Sequence, residues 1–389
     1  NSVLSLGVQE VCHCLSFGFH VSESGKISEP EIEPSVISIT KQLSYDEVNK
    51  ILENPDSAAS DWTHNDLKQL CKISLALAEY RARNGAFAIA LPDCQVKLLS
   101  SSRSSGGPRV QIQALDSSSL ANALVSELMI AAGAIAADIC AEHKIAMPFR
   151  SQPDRTISET YSTHALEQVK DDLARALLSI RGSPRSLTRS TPSRHSGLGL
   201  ERYIQVTSPI RRVGDLVAHY QLRTLLSPHK IQSTPLDTNA MDQLLSSILS
   251  STQSARSIET RSQKYWVYEY LRQLGPAVRH RAFVTRVFTS RTPPISTPTT
   301  SSMVYAKPSS STSGLSLVTA GRHGALDSGI VYLIDLAIQI TSKLPKGITE
   351  GESVAVCITF ADPNTLTIRS ESQRISSTLT LSDQHPNSL

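Results

Sequence analysis

Residues 195–222 read HSGLGLERYIQVTSPIRRVGDLVAHYQL, with a compact polar core, Thr207-Ser208-Pro209-Ile210-Arg211-Arg212, between two apolar flanks. Pro209 stiffens the chain just before a helical pattern of Asp215, Leu216, Val217 and Tyr220. The arginine pair therefore falls at a helix N-terminus, where backbone amides and guanidiniums both favour an anion. On the residues alone two readings stay open: a grip on phosphate, or a solvated arginine pair with no ligand. The surroundings are basic, since Arg181, Arg185, Arg189, Arg194, Arg202, Arg211 and Arg212 face Glu201 as the only acid between 181 and 212. Phosphate binding and a merely solvated basic loop account for that run equally well.

Globally the charge is modest. Lys+Arg 38 against Asp+Glu 35 gives +3, so any nucleic-acid surface must be local. A length of 389 residues and 40% hydrophobic content suit one large domain plus a small one with sizeable cores. Cys12, Cys14, Cys71, Cys94, Cys140 and Cys357 are scattered without framework spacing, which argues against disulfides and for a reducing compartment. Cys12-His13-Cys14 has no second Cys/His pair at zinc spacing and reads as a strand with both thiols on one face. No apolar run approaches the ~20 residues that span a bilayer, so no membrane partner is expected. The first residue is Asn1, no targeting segment precedes the first strand-like run, and sequence is expected to be missing upstream.

Along the chain, Cys12 to Ile39 reads as a strand hairpin turning at Ser24-Gly25, and Ser44 with Glu47 forms a capping box for a helix through Leu52. A second helix is expected over Asp66–Arg83, with Arg81 and Arg83 complementing its dipole and Asn84-Gly85 stopping it. Short strands are expected over 86–91, 96–99 and 110–115, and a long alanine-rich helix over Leu120–His143. Residues 179–196 read as a mobile polar loop. Two helical segments follow, 241–254 and 255–274. A composition shift at Gly275-Pro276 opens a second domain, whose strands at 278–287, 330–340 and 354–369 fit a small barrel. A Ser/Thr/Pro-rich insertion near 289–313 and a disordered tail over 371–389 complete the expectation.

The string GLGLERYIQVTSPIRRVGDLVAHYQL resembles the signature of the RNase II/RNase R (RNB-domain) family of processive 3′-to-5′ exoribonucleases. That signature reads H-x-x-LGL-x-x-Y-x-x-[FW]-TSPIR-[RK]-[YF]-x-D-L-x-x-H-x-x-L, and the chain departs from it at Val206 and Val213, where an aromatic is usual. Three further stretches keep register. Lys41, Leu43, Tyr45 and Val48 match a K-L-x-Y-[DE]-x-[VA] segment. ALVSELMIAAGAIAA resembles the [IL]-[VI]-E-E-x-M-I-x-A-N-x-x-[AV]-A helix, with Ser126 for the first acid, Glu127 kept and Gly133 for the usual Asn. ARSIETRSQKYWVYEYL resembles a late helix carrying Glu259 at its acidic position. The details look most like the organellar members of plants and algae, which implies a chloroplast or mitochondrion.

The resemblance implies an α+β fold: the C-terminal part of an RNB catalytic domain over 1–275, then an OB-fold RNA-binding domain over 276–370. It implies hydrolysis of single-stranded RNA to nucleoside 5′-monophosphates, with no small-molecule cofactor. By register, Arg211 stabilises charge on the scissile phosphate, and Tyr45 orients the terminal nucleotide. Glu127 lies beside the position of the acid that contacts the 3′-terminal sugar, a position held by Ser126. Glu259 lies near the end of the substrate channel, and Ser208, Arg212, His195 and Tyr203 belong to the same RNA-binding constellation. The base-clamping aromatic is expected in the strand around Phe87 to Leu91, with Phe87 and Ile89 as possible partners there. Mg²⁺ is implied as the cofactor, but the aspartate cluster D-x-x-x-x-x-D-[IL]-D-D that holds it does not occur in these residues. The chain by itself is therefore expected to be inactive. The alternative is a relative that binds RNA without cutting it, consistent with Ser126, Val206 and Val213.

Overall fold

The computed structural model describes residues 6–8, 10–53, 62–87, 91–99, 107–115, 118–154, 166–180, 184–226, 234–288 and 327–375. It separates into two compact units, Asn1–Val267 and Tyr268–Leu389.

In the first unit, β1 (Val11–Val21) and β2 (Ile27–Ser38) form an antiparallel hairpin. Gly25, at φ +79°, makes the turn; a Cβ there would meet the Ala76 carbonyl at 2.0 Å, so the backbone at Ala76 packs directly on it. Helix α1 (Tyr45–Glu53) carries the expected capping box: the Glu47 carboxylate accepts from the Ser44 amide at 2.7 Å, and the Ser44 hydroxyl accepts from the Glu47 amide at 3.3 Å. Helix α2 (Trp62–Arg83) precedes the β3 (Asp93–Leu99) and β4 (Arg109–Leu115) hairpin. Ala86 and Phe87 lie outside any strand, and 88–90 fall outside the described residues. Helix α3 (Leu120–Glu142), capped by Ser119, is the centre of the unit and lies against α1, α2 and β2. Contrary to the sequence expectation, it is long and apolar enough to cross a membrane by length and composition. Its apolar surface is spent on the core instead: Ala132, Ile135, Ala136, Ala137 and Cys140 pack with Ile32, Met147, Phe149, Ile204, Val206, Ala218 and Leu222. All six cysteines are free thiols.

The expectation of a mobile loop over 179–196 needs correction. Residues 181–183 are outside the described set, but β6 (Leu187–Arg189) pairs with β5 (Phe149–Ser151), and Ser190, His195 and Ser196 are buried. Backbone pairing overrides the polar composition. Helix α4 (Asp172–Ile180) precedes this segment, and α5 (Val213–Leu226) begins directly after Arg212. The two late helices expected from sequence are one, α6 (Thr238–Leu274): it holds no Gly or Pro, starts where the Asp237 carboxylate caps the Ala240 amide, and stops at Gly275 with φ +74°.

The second unit holds a closed five-stranded barrel of β7 (Arg279–Phe288), β8 (Asp327–Leu333), β9 (Ile338–Leu344), β10 (Ser353–Asp362) and β11 (Thr367–Arg374). Its order, β7-β8-β9-β11-β10 and back to β7, with β9 and β11 parallel, is that of an OB fold. The tail expected from 371 onward begins later. Strand β11 continues to Arg374 because it is bonded on both sides: Glu371 pairs with Lys343 of β9, and the β10 ladder runs to Val354↔Arg374. The insertion expected near 289–313 lies outside the described residues.

Candidate nucleic-acid interface

The 207–212 segment is a turn fastened to the first turn of α5. The Arg211 and Arg212 amides donate to the Ser208 carbonyl at 3.2 and 3.0 Å, and the Leu216 amide continues the helix onto the Arg212 carbonyl at 3.1 Å. Asp215, 1% exposed, accepts from the Ser208 amide through Oδ2 at 2.9 Å. The same oxygen lies 3.2 Å from Arg212 Nε, an ion-pair distance without hydrogen-bond alignment. Asp215 thus pins both ends of the turn, a role its place in the helical pattern did not announce. Arg211 is exposed, and among the described residues its guanidinium has no hydrogen bond or ion pair. Upstream, His219 Nε2 donates to the Val206 carbonyl at 2.6 Å, and Val206 itself is buried in the core.

The loop before this turn is strapped to α2 and α3. Arg81 and Glu127, both buried, form a bidentate pair: Arg81 Nε donates to Glu127 Oε2 at 2.9 Å and Nη2 to Oε1, while Nη1 donates to the Leu198 carbonyl at 3.0 Å. Gly199 has φ +64°, and a Cβ there would meet the Arg81 carbonyl at 2.5 Å, so the glycine of the GLGL string is required by close approach. Gly133 serves similarly on α3. A Cβ would lie 2.3 Å from the Ile204 carbonyl and 2.4 Å from the Tyr203 ring, leaving no room for the Asn usual in related sequences. Glu127, expected near the sugar, is committed to Arg81, whereas the adjacent Ser126 is exposed.

His195 and Tyr203 meet edge to face, with ring centroids 6.0 Å apart. His195 Nε2 lies 3.3 Å from Ser186 Oγ, and its Nδ1 is buried without a partner among the described residues. Burial, aided by the Arg150 guanidinium, pushes the imidazole down to about 4, so it is neutral at physiological pH. Burial also raises the Tyr203 phenol, against the opposing pull of Arg212. Tyr45, 49% exposed, and Glu259, exposed on α6, have no side-chain hydrogen bond or ion pair among the described residues that would tie them to this cluster. Part of the basic run is neutralised internally: Arg194 pairs with Glu201, and Arg202 Nε lies 3.5 Å from Asp138. In the barrel, Phe283 and Tyr332 are buried, but Phe288 and Phe360 are exposed with guanidiniums over their rings, Arg286 at 5.2 Å and Arg369 at 5.4 Å.

No three or more His, Cys, Asp or Glu side chains among the described residues form a group that could hold a metal ion, so the site built here does not fit Mg²⁺.

Residues 1–228 match the RNB domain. An uncharacterized ribonuclease of Synechocystis is 33% identical over 270 residues, covering 69% of this chain and 38% of that protein. The chloroplastic/mitochondrial ribonuclease II of Arabidopsis thaliana is 27% identical over 290 residues, covering 74% and 34%. The chain thus spans less than two fifths of the length of these relatives. A structure of Mycoplasma genitalium RNase R in complex with ribose-methylated single-stranded RNA superposes with a TM-score of 0.66 at 16% identity, covering 95% of this chain and 59% of that one; at this identity the likeness concerns the fold. Because the matched domain takes in more than half of its residues, the chain belongs to the RNB-domain family.

Proposed function

We propose that this chain serves a 3′-to-5′ exoribonuclease that hydrolyses single-stranded RNA to nucleoside 5′-monophosphates. The observation that carries the reading is the Asp215-pinned turn, which holds Arg211 exposed, and unpaired among the described residues, at the N-terminus of α5. Hydrolysis at the 3′ end breaks the bond between phosphorus and the penultimate 3′ oxygen, and negative charge builds on the phosphate oxygens. A guanidinium beside them lowers that barrier, which is the role assigned to Arg211.

Around it, Ser208 and Arg212 shape the turn, and Tyr203 and neutral His195 are assigned to the same RNA-binding constellation. Tyr45 is assigned to the terminal nucleotide. Glu127 is assigned to holding Arg81 and the 197–199 loop in place, and Ser126, which is exposed, to the position of sugar contact. Glu259 is assigned to the far end of the substrate path, and the barrel, with Phe288 and Phe360, to RNA upstream of the cut. The Mg²⁺ implied by the family resemblance needs ligands other than the described residues, and no step is routed through it. An organellar location is favoured by the relative named chloroplastic/mitochondrial.

The test is product analysis with 5′-labelled single-stranded RNA. Residues 1–389 alone are expected to bind it without EDTA-sensitive shortening. The enzyme that joins them to an aspartate cluster is expected to shorten it stepwise from the 3′ end. Binding with no shortening by that joined enzyme would favour the RNA-binding relative that does not cut.

A further inference from the structure

Helix α1 is short and superficial: none of its nine residues is fully buried, and it rests against α2 and α3. Nine residues are too few for a helix that holds itself in water, so its position depends on the side chains that fasten it. Tyr45, Val48, Asn49 and Leu52 recur at i, i+3, i+4 and i+7 and share one face. On that face Val48, Asn49 and Leu52 are half-buried, while Tyr45, at the start of the helix, is 49% exposed.

Asn49 supplies a fastening. Its Oδ1 accepts from the backbone amide of Ala121 at 3.1 Å, across 72 positions of sequence. That amide belongs to the first turn of α3, where backbone donors have no partner within the helix, and Ala121 is only 1% exposed. Ser119 caps the next amide, that of Asn122, at 3.4 Å, so α3 begins with one local cap and one lent by α1. The partial positive charge at the start of α3 strengthens its hold on the Asn49 oxygen.

We propose that Asn49 is the positioning residue of Tyr45. About one helical turn separates the two, so the bond to Ala121 fixes where α1 holds the tyrosine relative to α3, the helix that carries Ser126. This role rests on the exoribonuclease reading, which assigns Tyr45 to the terminal nucleotide and Ser126 to its sugar; the clamp between α1 and α3 does not. Asn49 acts through Tyr45 and not on RNA itself.

The experiment compares the full chain with Asn49→Ala, Asn49→Asp, Tyr45→Ala and the double variant Asn49→Ala/Tyr45→Ala. Hydrogen exchange of the α1 amides reads the clamp, and equilibrium affinity for single-stranded RNA, measured well below Tm, reads the placement of Tyr45. Asn49→Ala is expected to speed α1 exchange roughly tenfold and to weaken RNA binding. Asn49→Asp keeps an acceptor and adds the charge that a helix N-terminus favours, so it is expected to restore both. Tyr45→Ala is expected to weaken RNA binding about tenfold. The double variant is expected to bind no more weakly than Tyr45→Ala, because without the tyrosine nothing is left to position. A merely structural bond would lower Tm and leave the affinity of the folded chain unchanged. That result overturns the proposal, as do unchanged exchange in Asn49→Ala, a failure of Asn49→Asp to restore binding, or a double variant whose loss is the product of the two single losses. Wild-type affinity in Tyr45→Ala overturns the assignment of Tyr45 to RNA and the positioning role with it. A chain that binds no RNA refutes the exoribonuclease reading and that role, while faster α1 exchange in Asn49→Ala, reversed in Asn49→Asp, leaves the clamp standing. Should Asn49→Ala fail to fold, Asn49→Ser, whose oxygen ends one bond short of the Ala121 amide, takes its place with the same outcomes.

Discussion

Arg81 on α2 and Glu127 on α3 face each other through two hydrogen bonds, with side chains only 9% and 10% exposed, and the third arm of Arg81 holds the Leu198 carbonyl. Removing one partner strands the other charge in the interior. Glu127→Ala and Arg81→Ala should each destabilise the chain by about 3–5 kcal/mol. In urea unfolding, the double variant should lose clearly less than the sum of the two, because the pair acts as one unit. Additive losses would mean that the pair does not interact in solution.

His195 gives the fold a defined response to acid. Its folded pKa, about 4, lies below the ordinary 6.5, so the unfolded chain binds more protons between those values. The stability it contributes is fully present above about pH 6.5 and is lost as pH falls toward 4. Unfolding free energies across that window should fall more steeply for the wild type than for His195→Gln. Parallel profiles would place His195 in a solvated setting.

The barrel offers two exposed aromatics with arginines over them, and two buried ones. Phe288→Ala and Phe360→Ala should each weaken single-stranded RNA binding by about 1–3 kcal/mol with little change in Tm. Phe283→Ala and Tyr332→Ala should do the reverse, lowering Tm by core loss. Fluorescence anisotropy beside thermal unfolding separates the two; equal affinity losses from all four would argue against stacking on the barrel surface.

What the sequence made legible was local. Pro209, the arginines and the apolar rhythm after Asp215 lie within a dozen residues, and they announce a helix N-terminus without help from the rest of the fold. Ser44 and Glu47 announce a cap in the same way. The Arg81–Glu127 pair was hidden because its members are 46 residues apart, and each has an ordinary local account, a dipole-complementing arginine and a solvated glutamate. Gly133 looked like a lost asparagine until Tyr203 and Ile204 were seen pressing on it. The last residues of β11, Glu371 to Arg374, read as a tail because they are polar, and only pairing with β9 and β10 makes them part of the strand.

The central claim, that the turn before α5 presents Arg211 to the scissile phosphate, is tested most directly by Arg211→Ala in an enzyme that joins this chain to an aspartate cluster. Single-turnover degradation of a 3′-tailed RNA and equilibrium RNA binding are measured side by side. The expected result is a fall in the cleavage rate on the order of 10² to 10³-fold, with RNA affinity nearly unchanged. A variant that cuts at the normal rate, or one that loses affinity while keeping its rate once saturated, would contradict the claim.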